Sequence, residues 1–391
     1  MLLAPLLLAM PLVQGEVTPP LVLQEDTLSH PSPDFQDHFG SSVAISGDWM
    51  LVGTPGDDSS SSGAGGVPHD DSRLDSGAVT FYQRQGATWV EVLYLKAPTS
   101  KFGALFGEAV AIDGDVAVVG SSFDTTGGRA HVYRHDGTAW NHDFTLVPHN
   151  AENSDSFGAS VGVFDGTIVV GAPQEDGGGT GVNPPDTTFS LNSGAAYVFE
   201  EGGTGWVQAA YLKGSAVDIG DRFGTAVAAH WDRIAVGAPG EDSAAVDLGG
   251  DDGDDSLDGA GAVWLYERIG GVWQEVAYVK AGMPGSGDAF GSSVALHVAA
   301  LVVGAPDEDG SAKGVDGIPA GPPVSNSGAA WVYEHDGAAW QPAGYLKATQ
   351  PDSGDRFGTA VAVTEGRVAV GAPFEDGASP GMGGDDLDDS L

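Results

Sequence analysis

The residues best equipped for chemistry in this chain are carboxylates, and they recur at fixed places. Glu175-Asp176, Glu241-Asp242, Glu308-Asp309 and Glu375-Asp376 each stand shortly after a Gly-Ala-Pro triplet, and Asp57-Asp58 holds the same place in the first unit. A second set precedes Phe by two residues: Asp37, Asp155, Asp221, Asp288 and Asp355, with Ala104 at that place in one unit. The densest run is Asp247–Asp258, DLGGDDGDDSLD, which contains Asp251, Asp252, Asp254, Asp255 and Asp258. Within it Asp254-x-Ser256-x-Asp258-Gly259 is a partial EF-hand-like string whose closing acid is missing, since Ala262 and Leu265 occupy the ninth and twelfth places. Crowded carboxylates repel unless neutralised, and hard oxygen ligands select Ca²⁺. Calcium bound within or between these loops is therefore one expectation. The competing readings are a solvated acidic loop and a structural role, in which a carboxylate accepts backbone N–H bonds and fixes the departure of the loop.

Other chemistries find little support. There is no Cys, which excludes disulfides, thiolate metal sites and cysteine nucleophiles. His131, His135, His230, His297 and His335 are scattered over strands and turns without a repeating Ser or Asp partner. No His-Glu-x-x-His run, nucleophile elbow or phosphate loop occurs, and the Gly-rich segments are acidic, the wrong sign for phosphate. The 55 Asp and Glu against 15 Lys and Arg give a formal charge of −40. Such a surface repels nucleic acid and anionic membranes, and it attracts cations or suits a salty medium.

The elements that must position the acids repeat. Asp355–Gly377 (DRFGTAVAVTEGRVAVGAPFEDG) holds two short Val- and Ala-rich runs, Thr359–Val363 and Arg367–Val370, around a tight turn, which predicts a strand hairpin. Phe-Gly opens six such hairpins at Phe39, Phe106, Phe157, Phe223, Phe290 and Phe357, spaced 67, 51, 66, 67 and 67. Trp89, Trp140, Trp206, Trp273 and Trp340 keep the same rhythm, 51, 66, 67 and 67. Each unit then adds a long loop, a third strand after Ser-Gly-Ala such as Ala195–Glu200, and a fourth such as Trp340–Leu346. With 61 Gly and 23 Pro and no sustained helical period, the fold class is all-β, a β-propeller of four-stranded antiparallel blades. In an up-and-down blade, the loops after the second and fourth strands emerge on one face, so that face should collect the acid. The tryptophans and Tyr133, Tyr197, Tyr266 and Tyr333 are expected to pack between blades.

Residues 1–15 include the apolar run Met1–Val13 and read as a secretory signal peptide, too short to span a bilayer. Residues 16–391 form the propeller, starting with Leu21-Val22-Leu23, which aligns with fourth-strand runs such as Tyr211-Leu212-Lys213. The second unit is short because its long loop is missing. The sixth unit reads as incomplete: Gly383–Leu391 matches Gly249–Leu257, and the chain stops where a third strand should begin.

Phe-Gly, a hairpin, then Gly-Ala-Pro, in six registered copies from Leu21 to Leu391, resembles the FG-GAP repeat of the integrin α-chain N-terminal propeller and its bacterial relatives. The resemblance implies a propeller, of seven blades in a complete integrin-like chain, displayed outside the cell for adhesion or recognition. The family's calcium loop lies between the first two strands. Here that connection is a tight turn, as at Ser46-Gly47-Asp48, Asp113-Gly114-Asp115, Asp165-Gly166-Thr167 and Thr364-Glu365-Gly366, so the integrin cation cage does not carry over.

The expectation is a secreted or cell-surface, non-enzymatic recognition propeller, assisted by calcium, acting as a monomer on an extracellular protein or glycan. The alternatives are the propeller part of an extracellular enzyme acting on polysaccharide or lipid, and a purely structural repeat protein.

Overall fold

The computed structural model describes residues 28–376, apart from 31, 33, 35, 126, 186, 187, 204, 319 and 320. The leader, Leu21-Val22-Leu23 and Gly383–Leu391 thus lie outside the described residues. Among the described residues there are strands and no helix.

Five blades have four strands each. The first is β1 (Val43–Ser46), β2 (Trp49–Thr54), β3 (Ala78–Gln85) and β4 (Thr88–Leu95). The second is β5 (Val110–Asp113), β6 (Val116–Ser121), β7 (Arg129–His135) and β8 (Trp140–Leu146). The third is β9 (Ser160–Phe164), β10 (Thr167–Ala172), β11 (Ala195–Gly202) and β12 (Gly205–Leu212). The fourth is β13 (Ala226–His230), β14 (Arg233–Ala238), β15 (Ala262–Ile269) and β16 (Val272–Val279). The fifth is β17 (Ser293–His297), β18 (Ala300–Ala305), β19 (Ala329–His335) and β20 (Trp340–Leu346). The sixth unit contributes the hairpin β21 (Ala360–Thr364) and β22 (Arg367–Gly371). Neighbours in sequence pair antiparallel in every blade, which makes the architecture a propeller of five blades and a partial sixth. The sixth hairpin was expected one residue earlier at its first strand; elsewhere the predicted strands and the missing loop of the second unit are where the repeat put them.

The Phe-Gly and Gly-Ala-Pro motifs face each other for two reasons. Within a blade the Gly of Phe-Gly donates its N–H to the carbonyl of the Gly-Ala-Pro glycine, as Gly224 does to Gly237 at 2.9 Å and Gly291 to Gly304 at 3.0 Å. Between blades the Gly-Ala-Pro glycine lies against the Phe-Gly carbonyl of the blade that follows. A Cβ at Gly237 would stand 2.0 Å from Gly291 O, and one at Gly171 would stand 2.0 Å from Gly224 O. Only glycine allows two backbones this close. The Phe rings lock the same joint: Phe106, Phe157, Phe223 and Phe290 are buried, and their backbones bridge to Gly77, Gly128, Gly194 and Gly261 of the blade before.

The large cores are shared between blades, and only a small cluster of Met50, Val52 and Tyr82 belongs to the first blade alone among the described residues. Each of the four large apolar clusters takes side chains from two neighbouring blades; one joins Val263, Leu265 and Val279 of the fourth to Leu301, Val303, Trp331 and Trp340 of the fifth. Burying a Phe or Val side chain contributes about 1.5–3 kcal/mol, so most of the apolar gain is made only when blades stack. The aromatic residues serve this packing: Trp140, Trp206, Trp273, Trp340, Tyr133, Tyr197, Tyr266 and Tyr333 are all buried. At the start of the series β1 leaves Val43 and Ile45 exposed, at 56% and 59%.

Gly237→Ala should lower stability by about 3 kcal/mol, since its methyl meets a neighbouring carbonyl that cannot yield. Gly47→Ala, at an open hairpin turn with φ of 57°, should cost about 1 kcal/mol. Thermal melts of the two variants check the ranking.

Candidate functional site

The rim carrying the long loops is organised by the recurrent acids. In the third blade Glu175 is buried immediately after β10. Lys213, just past the end of β12, donates from Nζ to Glu175 Oε2 at 2.8 Å, and Tyr211 Oη donates to Oε1 at 2.8 Å. Lys213 also donates to Ser193 Oγ at 2.8 Å, and Ser193 Oγ donates to Gly177 O at 2.9 Å. The fifth blade repeats this with Glu308, Lys347 at 2.7 Å, Tyr345 at 3.0 Å and Ser327. The first has Asp57 with Lys96 at 2.5 Å, Tyr94 at 2.7 Å and Ser76. The fourth pairs Glu241 with Lys280 and Tyr278, and has Ala260 where the others have Ser. Because acid and lysine meet, the loops after the second and fourth strands do leave by one face.

The second carboxylate of each pair has a different task. Asp58, Asp176, Asp242 and Asp309 each accept, on Oδ1, the backbone N–H of Asp75, Asn192, Gly259 and Asn326, all at 2.7 Å. These N–H groups lie just before the third strand, so one side chain ties the exit of a long loop to its entry. Glu375 and Asp376 are the last described residues and stand exposed. The aspartates two residues before Phe cap their own turns: Asp221 Oδ2 accepts from Asp218 N at 2.8 Å, and Asp288 Oδ2 from Gly285 N at 2.6 Å.

Electrostatics follow from burial. Burial would raise the Asp57 carboxyl, but His30, Lys96 and Tyr94 outweigh it and hold the group at about 2. Burial pulls the ammoniums of Lys96, Lys280 and Lys347 below their ordinary value against the pull of their carboxylates. Asp155, Asp221 and Asp288, three of the pre-Phe aspartates, have no lysine in contact. Burial, together with nearby Glu175, Asp218 and Glu308 respectively, raises Asp155 to about 6 and Asp221 and Asp288 to about 7.

The second blade solves the same problem differently. Asp124 takes the acid's place, but Val147 and Thr145 stand where Lys and Tyr are elsewhere. Lys101, from the connection before the blade, reaches Asp124 at 2.6 Å, with His131 Nε2 at 3.5 Å and Arg129 at 4.0 Å.

The donor set decides how far these acids suit calcium. The oxygens of Asp57, Glu175, Glu241 and Glu308 already hold an ammonium and a phenol, so those four do not fit a calcium shell. Asp251, Asp252, Asp254, Asp255 and Asp258 remain on the loop before β15, where Asp254 accepts from Ala244 N at 3.1 Å and Ser256 Oγ at 2.9 Å. Among the described residues no three His, Asp or Glu side chains converge as a metal-binding group.

Sequence reasoning missed the lysines, although their signal was present. Of six lysines in the chain, four lie in Tyr-x-Lys at the end of a fourth strand: Lys96, Lys213, Lys280 and Lys347. Each follows its acid by 38 or 39 residues.

Lys280→Met should destabilise the chain by about 3–5 kcal/mol by leaving Glu241 buried without its cation, and Glu241→Gln/Lys280→Met should recover much of that loss; denaturant melts of the three chains test it. A second expectation concerns pH. The folded values of Asp221 and Asp288 exceed the ordinary 3.8, so the folded chain retains protons that the unfolded chain releases. Their contribution is full below about pH 4 and is lost as pH rises through about 7. The melting temperature should therefore rise from about pH 8 to about pH 5, and Asp221→Asn/Asp288→Asn should raise it at the upper pH and flatten the profile.

A comparison with curated proteins finds no match. The family model of the FG-GAP repeat matches residues 24–67, 89–133, 140–199 and 273–333, more than half of the chain. With Phe-Gly and Gly-Ala-Pro interlocked from blade to blade in the geometry just described, this chain belongs to the FG-GAP repeat family.

Proposed function

We propose that this is a secreted or cell-surface recognition propeller that binds an extracellular protein through the tips of its long loops. The observation that carries the reading is that these loops are fastened at their bases while their tips present apolar side chains to solvent. Phe102, Phe189, Ile219, Val315 and Ile318 are all more than 70% exposed on this rim. In the fifth blade Ile318, Pro322, Val324 and Pro351 surround a recess of about 470 Å³ with Lys313 at its edge. Exposed apolar groups framed by charge are the composition of a contact surface, and a rigid scaffold lowers the entropy lost when loops bind. Among the described residues no helix is long and apolar enough to cross a membrane. Calcium enters this reading as an accessory ion on the carboxylates of Asp251, Asp252, Asp254, Asp255 and Asp258, none of them buried.

An extracellular enzyme is the second reading, and the second blade holds the arrangement that favours it. Asp124, His131 and Thr145 stand in carboxylate–imidazole–hydroxyl order, with His131 Nδ1 3.2 Å from Thr145 Oγ1. The 3.5 Å from Asp124 leaves His131 Nε2 without a hydrogen bond, and Lys101 occupies the carboxylate, so recognition is preferred.

Labelled protein applied to a panel of immobilised extracellular-matrix proteins, with and without EDTA, tests the proposal. Phe189→Ser/Ile318→Asp should abolish capture while changing stability by no more than about 0.5 kcal/mol. Capture that survives both substitutions would overturn the rim as the contact surface. Titration of Ca²⁺ into chelated protein, giving neither heat nor a melting shift, would remove the accessory ion.

A further inference from the structure

The face opposite the long loops carries the turns between first and second strands. Gly47 and Gly114 hold the first position of that turn in the first two blades, and Asp165 in the third, all with positive φ. The fourth and fifth blades place Trp231 and Val298 there, at φ of 52° and 49°. Bulky and β-branched residues are strained in this region of backbone space. Both side chains also stay more than half exposed, at 57% and 51%, so burial does not offset the strain.

The two turns are held together. Val298 N donates to His230 Nδ1 at 3.1 Å, and Arg233 Nη1 donates to Val298 O at 2.8 Å. Burial and neighbouring His297 keep His230 below its ordinary value, which leaves the ring neutral and Nδ1 free to accept. The Trp231 ring rests edge-on against Phe164 of the third blade, 5.1 Å between centroids. The result is a recess of about 280 Å³ lined by Trp231, Asp232, Arg233, Glu267, Arg268 and Val298.

Every charge in this recess is paired. Arg233 Nε donates to Glu267 at 2.7 Å, and Arg268 is bound to Asp232 at 2.6 Å. In a chain of net charge −40, the lining carries two arginines and two carboxylates, and each cation already holds an anion, Arg268 a second one in Glu200 at 3.1 Å. An anionic ligand would have to displace a carboxylate. A cation would find its carboxylates taken, and a wholly apolar ligand would strip water from four ions and return no hydrogen bond. A sugar meets the remaining requirements. Its hydroxyls donate to a carboxylate and accept from a guanidinium at once, while its C–H face packs on an indole.

We propose that this recess binds a neutral carbohydrate, with a pyranose ring laid on the Trp231 indole and its hydroxyls bonded to Asp232, Arg233 and Arg268. The site uses the face away from the loop tips and stands independently of the function proposed for them.

Isothermal titration of the full chain with neutral hexasaccharides of glucose, mannose, xylose and N-acetylglucosamine tests it. Binding of at least one is expected, weakened about tenfold or more by Trp231→Gly, equivalent to about 1.4 kcal/mol. Glycine accepts the left-handed backbone, so the melting temperature of that variant should hold or rise, which separates lost contact from unfolding. Phe189→Ser/Ile318→Asp, on the other face, should leave the affinity unchanged. Binding of none of the four, binding indifferent to Trp231→Gly, or binding only of a heparin-derived anionic hexasaccharide would overturn the proposal.

Discussion

A lysine ammonium sealed beneath the root of the long loop in four of the blades is the constraint on which the rim depends. Lys96, Lys213 and Lys280 are fully buried, and a charge in that position is tolerable only with an opposite charge in contact and its remaining protons bonded. The acid after the second strand supplies the charge, and a tyrosine from the lysine's own strand saturates the acid's other oxygen. A serine before the third strand takes another ammonium proton in three of the blades. One ion pair thereby joins the ends of the second and fourth strands and the start of the third. The neighbouring aspartate ties loop exit to loop entry, so loop content can change freely above the clamp. The second blade shows how strict the demand is. Without the lysine and the long loop, it still brings a cation, Lys101, to Asp124.

Blade stacking is governed by a separate requirement, the approach of two backbones without side chains between them. The glycines of Phe-Gly and Gly-Ala-Pro serve both a hydrogen bond within one blade and a carbonyl contact to the next. Since each apolar cluster is shared by two blades, these contacts set the spacing at which the clusters close. The two faces of the propeller then diverge in character. One carries acids, clamps and variable loops; the other carries two-residue turns and arginines such as Arg134, Arg233 and Arg268 that bridge strands and blades. Trp231 and Val298 are the residues on that second face that break the turn chemistry of the others.

Much of this was legible in the chain itself. Phe-Gly spacing, the parallel beat of tryptophan, the short second unit and the common exit of two loop types all follow from local pattern. The interior role of the Trp and Tyr residues does too, because periodicity in a strand is a statement about burial. The carboxylates were also legible as a class, and the structural role considered for them describes Asp58, Asp176, Asp242 and Asp309. The ion pairs were not, since acid and lysine sit nearly forty residues apart on strands that are not neighbours in the sheet. Nor was the Trp231 recess, which joins a turn of one blade to a turn of the next.

The order of residues alone therefore determined the repeat, the strand content, the blade count of the described units and the face to which the acid is directed. These are consequences of short-range geometry, alternation and turn chemistry acting within a few residues. Only the tertiary structure decided which carboxylates are buried against lysine, which hold backbone, which face water, and which pair with arginine. Those outcomes depend on distances between chain segments, and electrostatic and desolvation energies change steeply over the last few ångströms that local pattern does not specify.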